Sequence, residues 1–351
     1  MIDSGTTALL VQPLADIRNM WRRPEYEETF DNLVMKRVLG LFKPDESDTV
    51  YLDEEYLRQQ GIFEQVLAHE HMHVDLTTST TIGHACMLLG APPLRNQRDL
   101  FEVFCGLMAL SWEAQEAAAT MVEWSVAQSS KKNPRFEEFY DSLPAKYQEA
   151  FDLFNSITQI LLPPYNYWMK PVASNALGQF ALNTDILMRI AVWLEGEPST
   201  AELVVGYMNS DEGHPQKRIR KLLKALAEPL SSKRRRSCRE IAKRLKSWAD
   251  TEIFLKYPHL GMPGGTFVVG KLSKEQIMLM NDSLNQIFLR YFVDQTELPI
   301  GAFHAAEAGA QFDIAAEQLR KKFGIGFRRN DTTGDIGARA KFLPRIKKLP
   351  N

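Results

Sequence analysis

The chain has 351 residues, of which 44% are hydrophobic and 25% are charged, and its formal net charge is −2. This composition is typical of a globular protein with a large core, and the balanced charge gives no overall attraction to nucleic acid or to a membrane. The 3 cysteines, Cys86, Cys105 and Cys238, are too few for a disulfide framework. We therefore expect free thiols and a reducing compartment.

The amino terminus and the apolar runs of the chain predict a cytoplasmic location. Residues 1–5 lack a basic start followed by a long apolar run, so no signal peptide is predicted. No apolar stretch in the sequence reaches the length of a transmembrane helix. We expect a cytoplasmic protein that does not bind a membrane.

Hydrophobic periodicity predicts a mainly α fold (α+β), in which a helical core is accompanied by a small β-sheet. Thr6–Leu14 and Thr49–Leu52 are short β-rich segments that would form this sheet. Helices are predicted over the ranges 61–89, 98–130, 136–162 and 175–195.

The helix predicted over residues 61–89 carries an HExxH motif, which begins at His69 and ends at His73. Residues four apart project from nearly the same side of a helix, so these two histidines can bind one metal ion. Glu70 points toward the same space, where it can act as the general base for a water that the metal activates. The motif therefore predicts a catalytic zinc site with one ion per chain.

A zinc site needs a third protein ligand, and the helix predicted over residues 98–130 offers carboxylates for this role. The middle of this helix is rich in alanine and free of glycine and proline, which favours a helix that packs closely against a neighbour. Glu113, Glu116 and Glu123 fall on one side of it. Carboxylates in such a helix are costly unless they bind a metal or accept hydrogen bonds. The pattern leaves these glutamates as alternatives.

Residues 116–123 read Glu-Ala-Ala-Ala-Thr-Met-Val-Glu. An HExxH motif followed by a helix of the pattern Glu-(Gly/Ala)-x-Ala-x-x-x-Glu resembles the gluzincins, a group of zinc metallopeptidases. The polar run of residues 77–81 is also similar to that of uncharacterised bacterial HExxH proteins. The resemblance covers about residues 60–125, and it implies a zincin-like helical core and a peptide or protein substrate. It also implies Glu116 as the third zinc ligand and Glu123 in a supporting role.

Hydrolysis at such a site also needs a donor for the developing oxyanion, commonly a tyrosine or a histidine. Tyr165 and Tyr167, which follow a pair of prolines, and His304 are the candidates for this role. Asp75 is close to the motif in sequence, where it would steady the site from behind the ligands.

A change in composition near residue 211 predicts a division into a catalytic domain, 1–210, and a mostly helical C-terminal region, 211–351. Basic side chains are concentrated in residues 217–246. The periodicity of this segment favours amphipathic helices with solvated basic sides. A nucleic acid or an acidic partner is the alternative interpretation, and the scarcity of aromatic residues for base stacking disfavours nucleic acid.

Two other functions compete with the zinc peptidase. Glu70 and His73 also match the Glu-x-x-His ligand pair of di-iron helical bundles, in which Glu113 and Glu116 would add carboxylates. A bundle of that kind normally has a second Glu-x-x-His pair, which this sequence lacks. The other alternative is a non-enzymatic binding or regulatory protein that acts through residues 217–246.

Overall fold

The computed structural model describes residues 40–42, 49–52, 54–129, 134–161, 170–196, 201–227, 273–327 and 345–348. These residues are mostly helical, as the sequence predicted. The helices are α1 Glu54–Gln60, α2 Phe63–Ser79, α3 Thr81–Leu89, α4 Arg98–Ser129, α5 Phe136–Ser142, α6 Ala145–Leu161, α7 Lys170–Leu182, α8 Ile186–Glu195, α9 Ala201–Met208, α10 Pro215–Ala227, α11 Lys274–Thr296 and α12 Ala305–Phe323. No helix in this described part is both long enough and apolar enough to cross a membrane.

Three short strands lie against the outer side of α2. They are β1 Gly40–Phe42, β2 Thr49–Leu52 and β3 Arg345–Lys348, with β2 in the middle, antiparallel to β1 and parallel to β3. Val50 and Leu52 of β2 are fully buried against apolar side chains of α2. Thr6–Leu14, the other segment predicted to form a strand, lies outside the described residues.

The prediction of a single helix over residues 61–89 is wrong, because the helix is interrupted between α2 and α3. Thr80 has extended backbone angles, φ −119° and ψ 154°, and its Oγ1 accepts a hydrogen bond from the N–H of Gly83. Thr81 then bonds to the segment after α7 through Leu182 and Thr184. These bonds replace helical ones, so the axis changes direction directly after the HExxH segment.

The long helix α4 is the centre of the fold. It spans 32 residues, in close agreement with the predicted range 98–130, and it packs against α2, α6 and α7. Ala117, Ala118 and Ala119 are fully buried in these contacts. At Gly178 of α7, an added Cβ would lie 2.8 Å from Leu76 of α2. Small residues therefore bring α2, α4 and α7 close together.

Two other predicted helical segments are each divided. Residues 136–162 form α5 and α6, with Pro144 between them, which agrees with the expectation of one or two helices. The continuous helix predicted over residues 175–195 is wrong, because α7 ends at Leu182 and α8 begins at Ile186. Polar groups of this junction bond to other parts of the chain. For example, the side-chain Oδ1 of Asn183 accepts a hydrogen bond from the backbone N–H of Thr81 in α3.

Arg218 of α10 is a fully buried cation at the junction of several helices. Its guanidinium donates to the backbone carbonyls of Phe180 at 3.0 Å, Glu212 at 2.8 Å and Pro299 at 2.7 Å. Burial lowers the pKa of this guanidinium to about 10. Arg218 therefore joins the ends of α7 and α11 to α10.

The described helices on both sides of residue 211 share one hydrophobic core. Leu222 of α10 and Phe292 of α11 are fully buried in the same cluster as Phe180 of α7 and the alanines of α4. Cys86 and Cys105 are buried in this core as thiols that form no disulfide bond, as expected. The domain boundary at residue 211 stays a prediction.

Candidate metal site

The candidate site lies between α2 and α4, which run antiparallel at this point. His69 of α2 contacts Glu123 of α4, and one turn later His73 contacts Gln115. Glu116 lies between these two levels and contacts both histidines. The side chain of Glu123 is 21% exposed and that of His69 is 13% exposed, so solvent reaches the cluster from this end.

Three side chains, His69, His73 and Glu116, could hold a metal ion. The Nε2 atoms of the two histidines are 3.2 Å apart. Oε2 of Glu116 lies 3.3 Å from Nε2 of His69, and Oε1 of Glu116 lies 3.6 Å from Nε2 of His73. Ligands at about 2.0 to 2.1 Å from a tetrahedral zinc ion stand about 3.3 Å from one another. The two nitrogens are therefore spaced like two corners of such a tetrahedron, and the carboxylate lies beside both of them.

The other ring nitrogen of each histidine has its own partner. Nδ1 of His69 lies 3.0 Å from a carboxylate oxygen of Glu123, and Nδ1 of His73 lies 3.2 Å from the amide oxygen of Gln115. Each partner oxygen accepts a hydrogen bond, which places the proton on Nδ1 and leaves a lone pair on Nε2. Histidines that bind metals are held in this way, by a carboxylate or a carbonyl behind the ring.

The site attracts positive charge. Burial alone would lower the pKa of His69, but the hydrogen bonds and charges of Glu116 and Glu123 raise it well above its ordinary value. The pKa of His73 is also raised, mainly by the charge of Glu116 against the opposing effect of burial. Burial would raise the pKa of Glu116, yet the two histidines lower it to about 2. A metal cation between these groups would take the place of the protons that the raised pKa values of the two rings favour.

Glu116 also provides the clearest test of whether a metal fits. Its Oε2 is buried and has no hydrogen-bond partner other than the His69 ring, which pairs with it only when protonated at Nε2. Buried carboxylate oxygens normally accept hydrogen bonds or bind a metal. Two imidazoles and one carboxylate form a donor set of the kind that zinc prefers. The residues present therefore fit a zinc ion.

Glu70 and Tyr147 border the same cluster. Glu70 is buried, which raises the pKa of its carboxyl group, and the charges of His73, His69 and Glu116 act on it. Burial also raises the pKa of the Tyr147 phenol, and Glu116, Glu70 and Glu123 raise it further. Tyr147 therefore keeps its proton beside the carboxylates.

The ring of Tyr147 is held by an aromatic contact. Tyr147, near the start of α6, meets Trp112 of α4 edge to face, with 5.5 Å between the ring centroids. Sequence reasoning missed Tyr147 because nothing in its local pattern places it near residues 30 or more positions away. It missed Gln115 for the same reason.

Glu113, the rival third ligand, is not part of the metal-binding group. Burial raises the pKa of Glu113, and the other charges that act on it are Arg220 of α10 and Glu149 of α6. Glu113 therefore faces α6 and α10, whereas Glu116 and Glu123 face the histidines of α2.

The remaining predicted site residues lie elsewhere or outside the described chain. The Asp75 carboxylate accepts a hydrogen bond from the side-chain amide of Asn175 in α7. His304 is the N-cap of α12, where its backbone N–H donates to Glu307. Tyr165 and Tyr167 lie outside the described residues.

His84 is excluded from the cluster by the break at Thr80. Its ring is buried at the start of α3, with Nε2 at 2.8 Å from the carbonyl oxygen of Thr78 and Nδ1 at 3.1 Å from that of Ala308. Within the part of the chain that the structure describes, His69, His73 and Glu116 are the one group of three such ligands close enough to share a metal ion.

Comparison with known proteins adds no relative: no family model, no curated protein and no solved structure matches this chain. The class that the fold and the site define is a mainly helical protein with a His-His-Glu group that could hold a metal ion. The gluzincin resemblance stays a prediction from the motif residues.

Proposed function

We propose that this protein is a zinc-dependent peptidase with a zincin-like helical core. The observation that carries the proposal is the convergence of His69, His73 and Glu116 on one point. The two Nε2 atoms are 3.2 Å apart, and each has one oxygen of the Glu116 carboxylate nearby, Oε2 at 3.3 Å from His69 and Oε1 at 3.6 Å from His73. Two imidazoles and one carboxylate would hold a zinc ion of the catalytic kind. The hydrogen bonds that Glu123 and Gln115 accept from the Nδ1 atoms of the two rings add independent support.

Each residue of the cluster has a definite role in this proposal. His69, His73 and Glu116 hold one zinc ion, and Glu123 and Gln115 fix the two rings. When bound, zinc acidifies water and polarises a carbonyl group, which supplies a nucleophile near neutral pH.

Glu70 is the general base. It lies next to His69 in sequence and shares the electrostatic environment of the ligands. Its pKa is raised by burial, which brings a carboxyl group closer to the pH at which proton acceptance and donation are both efficient. In hydrolysis Glu70 takes the proton of the attacking water at a carboxylate oxygen and gives it to the leaving amine.

Tyr147 is the donor to the developing oxyanion, in place of Tyr165, Tyr167 or His304. Its phenol keeps its proton beside Glu116 and Glu70, and its ring is steadied by Trp112. A neutral hydroxyl in a water-poor site stabilises negative charge without changing its own protonation.

The first test is metal content. Purified wild-type protein should contain one zinc per chain by elemental analysis, and His69→Ala and Glu116→Ala should each lose it. Glu113→Ala is the matched control, because this glutamate lies on the same helix and outside the metal group, so it should keep its zinc. Zinc in none of the four proteins after zinc-replete purification would overturn the metal site. Two irons per chain would favour the di-iron alternative.

The second test is peptide hydrolysis. Wild-type protein and Glu70→Gln should be compared on a peptide library after both are shown to contain zinc. Removal of a general base lowers turnover by about 100-fold or more, so Glu70→Gln should be nearly inactive. Equal hydrolysis by both zinc-loaded proteins would show that Glu70 is not the base. If the wild type binds zinc but cleaves no peptide, the proposed peptidase activity is wrong and the proposed metal site stands.

A further inference from the structure

Behind the metal-binding face of α2, a buried group of amides joins α2 to α7 and α11. Asn175 of α7 is its centre and is 7% exposed. Its Oδ1 accepts hydrogen bonds from Gln179 at 2.7 Å and from Asn285 at 2.6 Å. Its Nδ2 donates to the Asp75 carboxylate and, at 3.4 Å, to the sulfur of Met72. All four hydrogen-bonding positions of this side chain are therefore used.

The two contacts with α2 have a special placement in the sequence. Met72 comes directly before the ligand His73, and Asp75 comes two residues after it. Residues three apart are neighbours on a helix surface, so Asn175 forms hydrogen bonds with α2 at two points on one face. His73 is displaced from Asp75 by about 200° around the helix axis, so the ligands project from a different side.

We propose that Asn175 is a positioning residue for the zinc site, because its hydrogen bonds to Met72 and Asp75 fix the rotational orientation of α2 about the helix axis. This inference rests on the proposed zinc site. Asn175 does not touch the ligands and acts only through the helix that carries them.

The geometry of a helix makes this rotation important. An imidazole nitrogen on an extended side chain lies about 6 Å from the helix axis, so a rotation of about 10° moves it by about 1 Å. Metal–ligand distances tolerate only about 0.2 Å. Packing of apolar side chains alone permits such small rotations more readily than a pair of buried hydrogen bonds does. Because Glu116 comes from α4, both histidines must keep their direction relative to a separate helix.

The test compares Asn175→Leu with Gln179→Met. Leucine has nearly the shape of asparagine but removes both contacts with α2. Gln179→Met removes one hydrogen bond of the same buried group, on the same helix, and leaves the contacts with Met72 and Asp75 in place. Zinc affinity is measured by competition with a chelating dye, and thermal unfolding is measured for each protein without metal.

The proposal gives different expectations for the two variants. Asn175→Leu should bind zinc about 10- to 100-fold more weakly, as is usual when the support of a metal ligand is lost. Gln179→Met should stay within about 2-fold of wild type, even where its unfolding temperature falls by a similar amount. The visible absorption of the cobalt(II)-loaded protein should change in Asn175→Leu alone, because that spectrum reports coordination geometry.

A second pair of variants keeps the test decisive if Asn175→Leu does not fold. Asp75 is partly exposed, so its replacement disturbs the core less. Asp75→Asn keeps an oxygen that accepts from Asn175 and should bind zinc nearly as wild type does. Asp75→Leu loses the acceptor and should bind about 10-fold more weakly.

Zinc affinity and cobalt spectra like those of wild type in both Asn175→Leu and Asp75→Leu would overturn this inference and leave the zinc site intact. Equal losses in Asn175→Leu and Gln179→Met would also overturn it, because they would indicate a general effect of the buried group. Absence of zinc from the wild type itself would overturn the proposed function as well.

Discussion

At the scale of single residues, each ligand histidine is held at both of its ring nitrogens. The Nε2 atoms converge with Glu116, while the Nδ1 atoms face Glu123 and Gln115. A carboxylate behind His69 also makes that imidazole a stronger donor to a metal, because it stabilises positive charge on the ring. In the proposed zinc site, Glu123 would therefore contribute to metal affinity without contacting the metal.

Replacement of Glu123 separates this role from a general effect on α4. Glu123→Leu should lower zinc affinity by about 10- to 100-fold, since the Nδ1–H of His69 loses its acceptor. Glu123→Gln keeps an oxygen acceptor, so its affinity should lie between those of wild type and Glu123→Leu. Dye competition on the purified variants gives the three values. Identical affinities would show that the contact between Glu123 and His69 has no role in binding.

The residues of the site differ in how far the sequence predicts them. His69, Glu70 and His73 follow from a spacing of four on a helix, which is a local property. Glu116 could be chosen over Glu113 only through the gluzincin resemblance, because the sequence pattern places both on one side of the predicted helix. Their separation in the structure arises from the helices that pack on each, and such contacts are absent from a local pattern.

At the scale of secondary structure elements, the α2–α3 junction ends α2 at Ser79 and so fixes how α2 meets its neighbours. The turn depends on close approach of backbone to backbone. A Cβ added at Gly83 would lie 2.3 Å from the carbonyl oxygen of Thr77 and 2.5 Å from its Cα. Neither atom can move without shifting α2.

Gly83→Ala should therefore destabilise the fold. Overpacking against rigid backbone costs about 2 to 3 kcal/mol, which denaturant unfolding of the variant would measure. Gly206→Ala is the matched control, because Gly206 lies in α9 and its added Cβ would meet no atom within 4 Å. That change should raise the free energy of unfolding by about 0.5 to 1 kcal/mol, since alanine favours a helix. Equal effects of the two variants would contradict this account.

The helices were easier to predict than the positions at which they are interrupted. The middle of α4, residues 111–123, is an alanine-rich stretch without glycine or proline, which is helical in nearly any surroundings. The break at Thr80 could not be predicted, because threonine alone does not end a helix. It depends on contacts of Thr81 with Thr184 and Leu182, residues about 100 positions away that only the folded chain brings near.

At the scale of the whole molecule, Arg218 links parts of the chain that are distant in sequence. Its guanidinium donates to backbone carbonyls in the last turn of α7, before α10 and after α11. Arg218→Met keeps much of the side-chain volume but leaves these buried oxygens without donors. Each such oxygen costs about 1 to 3 kcal/mol, so the free energy of unfolding should fall by about 3 kcal/mol or more.

Lys221→Met is the matched control for Arg218→Met, because Lys221 is exposed on the same helix. Its free energy of unfolding should stay within about 0.5 kcal/mol of wild type. Denaturant titrations of the two variants and the wild type make the comparison. Similar curves for Arg218→Met and Lys221→Met would show that the buried guanidinium does not stabilise the fold.

His69, His71 and His73 alternate along one short stretch, so an unfolded chain still presents three imidazoles close together in sequence. Zinc stabilises the native state only to the extent that it prefers that state over the denatured ensemble, and metal captured by a denatured chain subtracts from the effect. The denatured chain lacks Glu116 as a neighbour, since that carboxylate arrives only when α4 docks on α2. In the proposed zinc site, Glu116 is therefore the ligand that would convert zinc binding into a bias toward the folded protein.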